Sequence, residues 1–382
     1  MISTSQTSHL DSIDSFLAMA VFAKAQALEA QGRDIIHLEF GEPDFTAPPA
    51  AAESVKKSME INDAGYTFSQ GLEELRIEIA KKYANDYGVK ILPEQVLVSN
   101  GSSLLLYLAI RILAPPGSQV ILTDPCYACY ENVVRLAGSE PVMVKLRHED
   151  GFQLNVDDLK KRVTPKTRAI LINSPMNPTG VVFSSEVMKA IAELDIPVIS
   201  DEIYADLSFE DPPCSFLSYS PQTVAIHGFS KSYAMTGWRL GYMITPLEWM
   251  SAADRLHQNL VISATEFVQE AGISVLRKSA AYCESMKTEF NRRRLFVLDR
   301  MHELGMDLGY TPTGAFYVLY KYRDSGKISL DLCHEVLEKT GVAIAPGRDF
   351  GLGAEGFVRI SYAQSMENLD RSLNLLAESM LL

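Results

Sequence analysis

Between residues 95 and 245 the chain alternates short runs of aliphatic and β-branched residues with longer stretches whose apolar positions recur at helical spacing. The runs are QVLVS, QVILT, PVMVK, RAILIN, PVIS, TVAIH and RLGYMI. Continuous apolar runs suit strands buried on both faces, and amphipathic segments such as 102–113 and 184–194 supply the covering helices. This α/β alternation predicts a three-layer α/β/α lobe around a mostly parallel seven-stranded sheet.

Outside that region the pattern differs. Phe16, Met19, Phe22, Ala23 and Leu28 trace one helix over 14–31, with Gly32 as its stop. After about residue 280 come a long charged helix (281–304), the strand GAFYVLY, a helix (329–339), short strands around VAIAPG and FVRIS, and a last helix with Leu369, Leu373 and Leu376 on one face. These form a smaller α+β unit. A chain of 382 residues exceeds the usual size of one core. The division expected is a large domain over 46–280 and a small domain over 281–382, with 1–45 belonging to the small one. No Pro/Gly/Ser-rich linker intervenes, so the two share an interface.

Charge and cysteine usage narrow the partners. With 48 acidic against 35 basic residues, the net charge of −13 repels a phosphate backbone and an anionic bilayer alike, so neither nucleic acid nor membrane is expected. No run approaches the ~18 apolar residues of a membrane span. The opening MISTSQTSHLDSID has neither the basic nor the apolar part of a leader, so a cytoplasmic location is expected. Five scattered cysteines fit a reducing compartment better than a disulfide framework. Cys126 and Cys129 form a C-x-x-C, but no second pair and no histidines at ligand spacing complete a zinc site; a plain loop pair is expected, and no metal.

In open α/β sheets ligands bind beyond the carboxyl ends of strands, and four such ends here are polar. QVLVS is followed by Asn100-Gly101-Ser102-Ser103, RAILIN by Ser174 to Gly180 with Asn177 between, PVIS by Asp201-Glu202-Ile203-Tyr204, and TVAIH by Gly228-Phe229-Ser230-Lys231. A glycine followed by hydroxyls at a helix start makes a phosphate cradle, or only an N-cap. A carboxylate ending a buried strand needs a partner: for Asp201 a pyridinium N–H serves, as does a helix cap or a salt bridge. Tyr204 stands near enough to present its phenol to the same ligand. Lys231 arrives on an apolar strand; desolvation lowers the pKa of such an amine and lets it form an imine with an aldehyde, the alternative being a solvated surface lysine.

Lys231 followed by Thr236-Gly237-Trp238-Arg239-Leu240-Gly241, with Asn177-Pro178-Thr179-Gly180 and Asp201-Glu202-Ile203-Tyr204 upstream, closely resembles the class I/II aminotransferases, pyridoxal-phosphate enzymes of fold type I, over nearly the whole chain. The resemblance implies that Lys231 carries pyridoxal 5'-phosphate as an imine and, once released, acts as general acid and base for the 1,3-proton shift. It implies that Asp201 pairs with the ring nitrogen, that Asn177 and Tyr204 bind the ring oxygen, and that Tyr127 of DPCYACY stacks on the ring. Gly101, Ser102, Ser103, Ser230 and Arg239 bind the phosphate by the same implication. Tyr66 of YTFSQGLEEL resembles the tyrosine that reaches across the dimer interface to the partner's phosphate in this family, which implies a homodimer. The resemblance further implies that Arg359 of GFVRISYA clamps the substrate α-carboxylate with Asn177 and the backbone of Gly41 in FGEPDF, the alternative for an arginine on a strand being an ordinary ion pair between lobes.

Transfer of an amino group from an L-amino acid to a 2-oxo acid is therefore the expected reaction. The same scaffold hosts β-lyases and cyclising synthases, and a non-catalytic cofactor- or amino-acid-binding regulator is the reading from another class. Two positions depart from the pattern. Gly228 stands where many relatives have a hydroxyl, so one phosphate contact passes to backbone or water, and no second arginine appears around 263–269 for a dicarboxylic substrate. A neutral or aromatic donor, with 2-oxoglutarate as acceptor, is expected. Gly351-Leu352-Gly353-Ala354-Glu355-Gly356 fits G-x-G-x-x-G but precedes a strand, which predicts a surface turn instead of a dinucleotide site.

Overall fold

The computed structural model describes residues 10–61, 65–323 and 326–382. The first nine residues of the opening stretch MISTSQTSHLDSID lie outside this range. After a two-residue strand β1 (Ile36–His37), the seven apolar runs become β2 (Val96–Ser99), β3 (Gln119–Asp124), β4 (Glu140–Lys145), β5 (Thr167–Asn173), β6 (Val198–Asp201), β7 (Thr223–Gly228) and β8 (Gly241–Ile244). They form one sheet in the order β2-β8-β7-β6-β5-β3-β4. β8 alone runs opposite to the other six strands.

Alternation along these strands feeds two cores. Val120, Leu122, Ala169, Leu171, Ile199, Val224 and Ile226 bury against helices Ser102–Leu113 and Leu247–Val261. Ile121, Ile170, Ile172 and Val198 face the opposite side. Both faces being covered is why these strands read as apolar runs without polar interruption. Strand succession reverses direction between β3 and β5, and at such a point the loops leaving adjacent carboxyl ends diverge and open a crevice.

The second unit is built on β9 (Tyr317–Lys321), β10 (Val342–Ala343), β11 (Ala345–Pro346) and β12 (Phe357–Ser361). β12 lies antiparallel between β9 and β11, and β10 pairs in parallel with β1. Val21, Ala25, Ile36 and Leu38 of the N-terminal segment enter the same core as Phe290, Phe316, Val336 and Leu373. The helix Ala280–Glu303 buries Phe290, Val297 and Met301 in this core; Arg293 on it pairs with Asp44 at 2.6 Å, and Arg294 donates to the Pro312 carbonyl and to Glu210, each at 2.8 Å.

The N-terminal helix begins at Leu17, not at residue 14. Its first free amides are taken by a remote carboxylate: Leu17 N–H and Ala18 N–H donate to the two oxygens of Asp349 at 2.8 and 3.0 Å. Asp14 is held apart from the helix by Asn132, which exchanges two backbone hydrogen bonds with it. The turn at 351–353 is also more than a surface turn. Gly353 N–H donates to both oxygens of Asp124 at 2.9 Å, and a Cβ at Gly351 or Gly353 would overlap that carboxylate. The glycines allow a close approach between the small unit and the end of β3.

Candidate active site

At the carboxyl ends of β3, β5, β6 and β7 lies a cavity of about 310 Å³. Its walls include Gly41, Ser102, Ser103, Tyr127, Asn177, Asp201, Tyr204, Ser230, Lys231, Arg239 and Arg359. Eleven of the thirteen residues singled out from the sequence thus share one space. Gly101 sits behind it as the residue preceding helix Ser102–Leu113, at φ +87°, where a Cβ would overlap the Arg239 guanidinium. Only glycine lets that cation close on the helix N-terminus. Tyr66 stands elsewhere, 85% exposed.

Lys231 leaves the end of β7 and its amine donates to the Gly41 carbonyl. Burial pushes this amine down to about 8; Glu42 opposes the shift, while Arg359 and Arg239 add to it. Asp201, at the end of β6, is buried and accepts from Tyr130 Oη at 2.7 Å and from Ile203 N–H at 3.2 Å. Burial raises its carboxyl to about 6 against those hydrogen bonds and the nearby Lys231. Gly228 has its own local reason. A Cβ there would lie 3.0 Å from the Leu240 carbonyl oxygen and 3.2 Å from Gly241 Cα, so a hydroxyl-bearing side chain would need this backbone to give by a few tenths of an ångström.

Arg359, on β12, is 5% exposed and its guanidinium lies between the rings of Tyr317 and Phe350, at 4.6 and 4.7 Å. Nη1 donates to Asn177 Oδ1 at 3.0 Å and Nη2 to the Glu39 carbonyl, while the buried Nε–H has no partner among the described residues. A buried charged donor without an acceptor is costly, so this edge is suited to an incoming carboxylate. Asn177 is fixed from behind by Asn173, which accepts from Asn177 N–H at 2.8 Å and donates to the Asp201 carbonyl at 2.9 Å.

Several wall residues carry no signal in the sequence. Tyr130 is visible there only as the second tyrosine of DPCYACY. Tyr317 lies inside a strand legible for its apolar alternation, and its hydrogen-bonding partner Tyr204 is 113 positions away. Phe16, Met19, Phe40, Leu106 and Phe350 add an apolar surface drawn from four separate segments.

The group implied by the sequence fits this cavity. A glycine-cleared helix N-terminus with two serines and an arginine suits a phosphate dianion, a buried carboxylate suits a protonated ring nitrogen, and a depressed amine suits an aldehyde. Fold and cavity together define a pyridoxal-phosphate-dependent enzyme of fold type I. Comparison with known proteins carries this further. The profile of the family "Aminotransferase class I and II" matches residues 33–376. The (5-formylfuran-3-yl)methyl phosphate transaminase of Methanocaldococcus jannaschii is 38% identical over 370 residues, 96% of each chain. The aspartate aminotransferase of Pyrococcus horikoshii is 34% identical, covering 94% of this chain and 93% of its own. Among solved structures, aspartate aminotransferase from Thermus thermophilus with maleate superposes at a TM-score of 0.93 with 34% identity, covering all of both chains. A Methanococcus jannaschii protein, similar in its active site to kynurenine aminotransferases, superposes at 0.91 with 37% identity, again over both whole chains.

The chain belongs to the class I and II aminotransferases. It is a pyridoxal-phosphate-dependent transaminase of amino acids and 2-oxo acids, and the lyase, synthase and regulator readings fall away. Among the described residues no helix is long and apolar enough to cross a membrane.

Proposed function

We propose that Lys231 is the amine that carries the cofactor and afterwards moves the proton at the substrate α-carbon. The observation that carries this reading is a depressed amine sharing one cavity with a buried carboxylate, Asp201, and a buried arginine, Arg359, that has a donor to spare. When bound, pyridoxal phosphate supplies an electron sink for the pair left on the α-carbon. Asp201, braced by Tyr130, holds the proton on the ring nitrogen. Asn177 and Tyr204 donate to the ring oxygen, and Tyr127 covers the ring face and excludes water. Gly101, Ser102, Ser103, Ser230 and Arg239 hold the phosphate; Gly41, Asn177 and Arg359 orient the α-carboxylate.

The donor we infer is neutral or aromatic. Apolar side chains from four segments face the cavity, and each cation in its wall, Lys231, Arg239 and Arg359, already has a role. A screen of the twenty amino acids, following loss of the Lys231–cofactor absorbance, tests this. Phenylalanine or leucine is expected to discharge it at least about tenfold faster than aspartate, since a second carboxylate unpaired against that surface costs more than about 1.4 kcal/mol. Aspartate reacting as fast as either would remove the inference.

A homodimer, with Tyr66 reaching the partner's phosphate, is supported by an apolar surface. Met59, Ile61, Tyr66, Phe68, Leu260 and Ile262 are all at least half exposed. Gly65 and Ser69 tie the loop bearing Tyr66 to Glu266 and His257, so these side chains lie on neighbouring segments. Light scattering should give twice the 42.3 kDa chain mass, and a single-chain mass would exclude it. The shared core of the N-terminal and C-terminal segments supports dividing the chain into a cofactor-binding domain over 46–280 and a small domain made of 1–45 and 281–382. Acidity and five free thiols support a cytoplasmic location.

A further inference from the structure

Tyr317 stands where three parts of the site meet. Its hydroxyl oxygen lies 2.7 Å from that of Tyr204, with both residues buried. The Arg359 guanidinium lies 4.6 Å from its ring centroid. Gly41, whose carbonyl receives the Lys231 amine, is so close that a Cβ there would overlap the Tyr317 hydroxyl. Glycine at position 41 is thus what lets this phenol reach Tyr204.

Each phenol has a single proton to donate. Were Tyr204 to give its proton to Tyr317, none would remain for an oxygen of the cofactor ring. The cation against the Tyr317 ring draws electron density from it and makes its O–H the stronger donor of the two. Burial raises both phenols and Arg359 offsets part of the rise at each, but Tyr204 is pushed up further than Tyr317, against whose ring the cation lies. The favoured order of donation therefore runs from Tyr317 to Tyr204, and from Tyr204 outward into the cavity.

We propose that Tyr317 is a positioning residue for the reaction: it donates to the Tyr204 oxygen, so that the Tyr204 proton is reserved for the cofactor's ring oxygen and that bond is strengthened by polarisation along the pair. This rests on the assignment of Tyr204 made above. In this role Tyr317 acts through Tyr204, and Arg359 sharpens it.

The test is a spectrophotometric pH titration of the Lys231–cofactor chromophore in holoenzyme. Tyr317→Phe keeps the ring beside Arg359 and removes only the hydroxyl. Weaker donation to the ring oxygen leaves its ionised form less stabilised, so the midpoint should rise, by about half a pH unit in Tyr317→Phe and about one unit in Tyr204→Phe. With Tyr204 already Phe, the further change Tyr317→Phe should leave the midpoint where it is, and this pair serves even if the single variant fails to fold. A wild-type midpoint in Tyr317→Phe beside a shifted Tyr204→Phe, or an added shift in the double variant, overturns the role of Tyr317 while leaving the site assignment standing. An unshifted Tyr204→Phe overturns both.

Discussion

Replacing Lys231 by alanine is expected to remove the imine absorbance of the purified protein and to lower turnover by at least about 10⁴-fold, since covalent attachment and proton transfer are lost together. The fold should survive. Lys231 is hydrogen-bonded only to the Gly41 carbonyl among the described residues, and Asp201 keeps its bonds from Tyr130 and Ile203 when the amine is gone, so the melting temperature should hold within a few degrees. In the wild-type apoprotein the neutral amine is the reactive form. Because burial sets its pKa at about 8, the rate of pyridoxal-phosphate uptake should climb with pH, reach half its maximum near 8 and level off above. A Lys231→Ala protein that retains the absorbance would place the cofactor on another lysine.

The second large effect belongs to Asp201. Asparagine has the same shape; its one carbonyl oxygen can still accept from Ile203 N–H while its amide donates to the Tyr130 oxygen, but it carries no charge to hold a proton on the ring nitrogen. Breaking a buried ion pair from one side costs about 3–5 kcal/mol, so kcat/KM for Asp201→Asn should fall by about 10²–10⁴-fold. Cofactor should still bind, because the phosphate and Lys231 contacts are untouched. Steady-state kinetics on fully loaded protein read the effect, and a loss under tenfold would show that the ring nitrogen is held by something else.

Much of the fold and of the site is legible in the amino-acid sequence. The seven strands stand out because both faces of the sheet are covered, and their polar ends mark the crevice because a buried strand tolerates Asp201 or Lys231 only where a ligand or partner meets it. What stays hidden there depends on contacts distant in sequence. Nothing in GAFYVLY says that Tyr317 faces Tyr204 and Arg359, and nothing near Leu17 says that a carboxylate 332 positions away will start its helix. The pairing of β1 with β10 involves two residues on each side, too few to leave a periodicity. Gly351 and Gly353 read as a surface turn because the motif fits no dinucleotide site, yet they fit Asp124.

Asp349 and Phe350 are adjacent, and one suspends the N-terminal helix while the other lies against the Arg359 guanidinium. The doorway above the cavity, where Phe16 and Met19 stand, is therefore hinged to the very segment that flanks the carboxylate receptor. A shift of that segment would therefore be felt at both places, which ties the entrance to the grip on the incoming acid through two neighbouring residues.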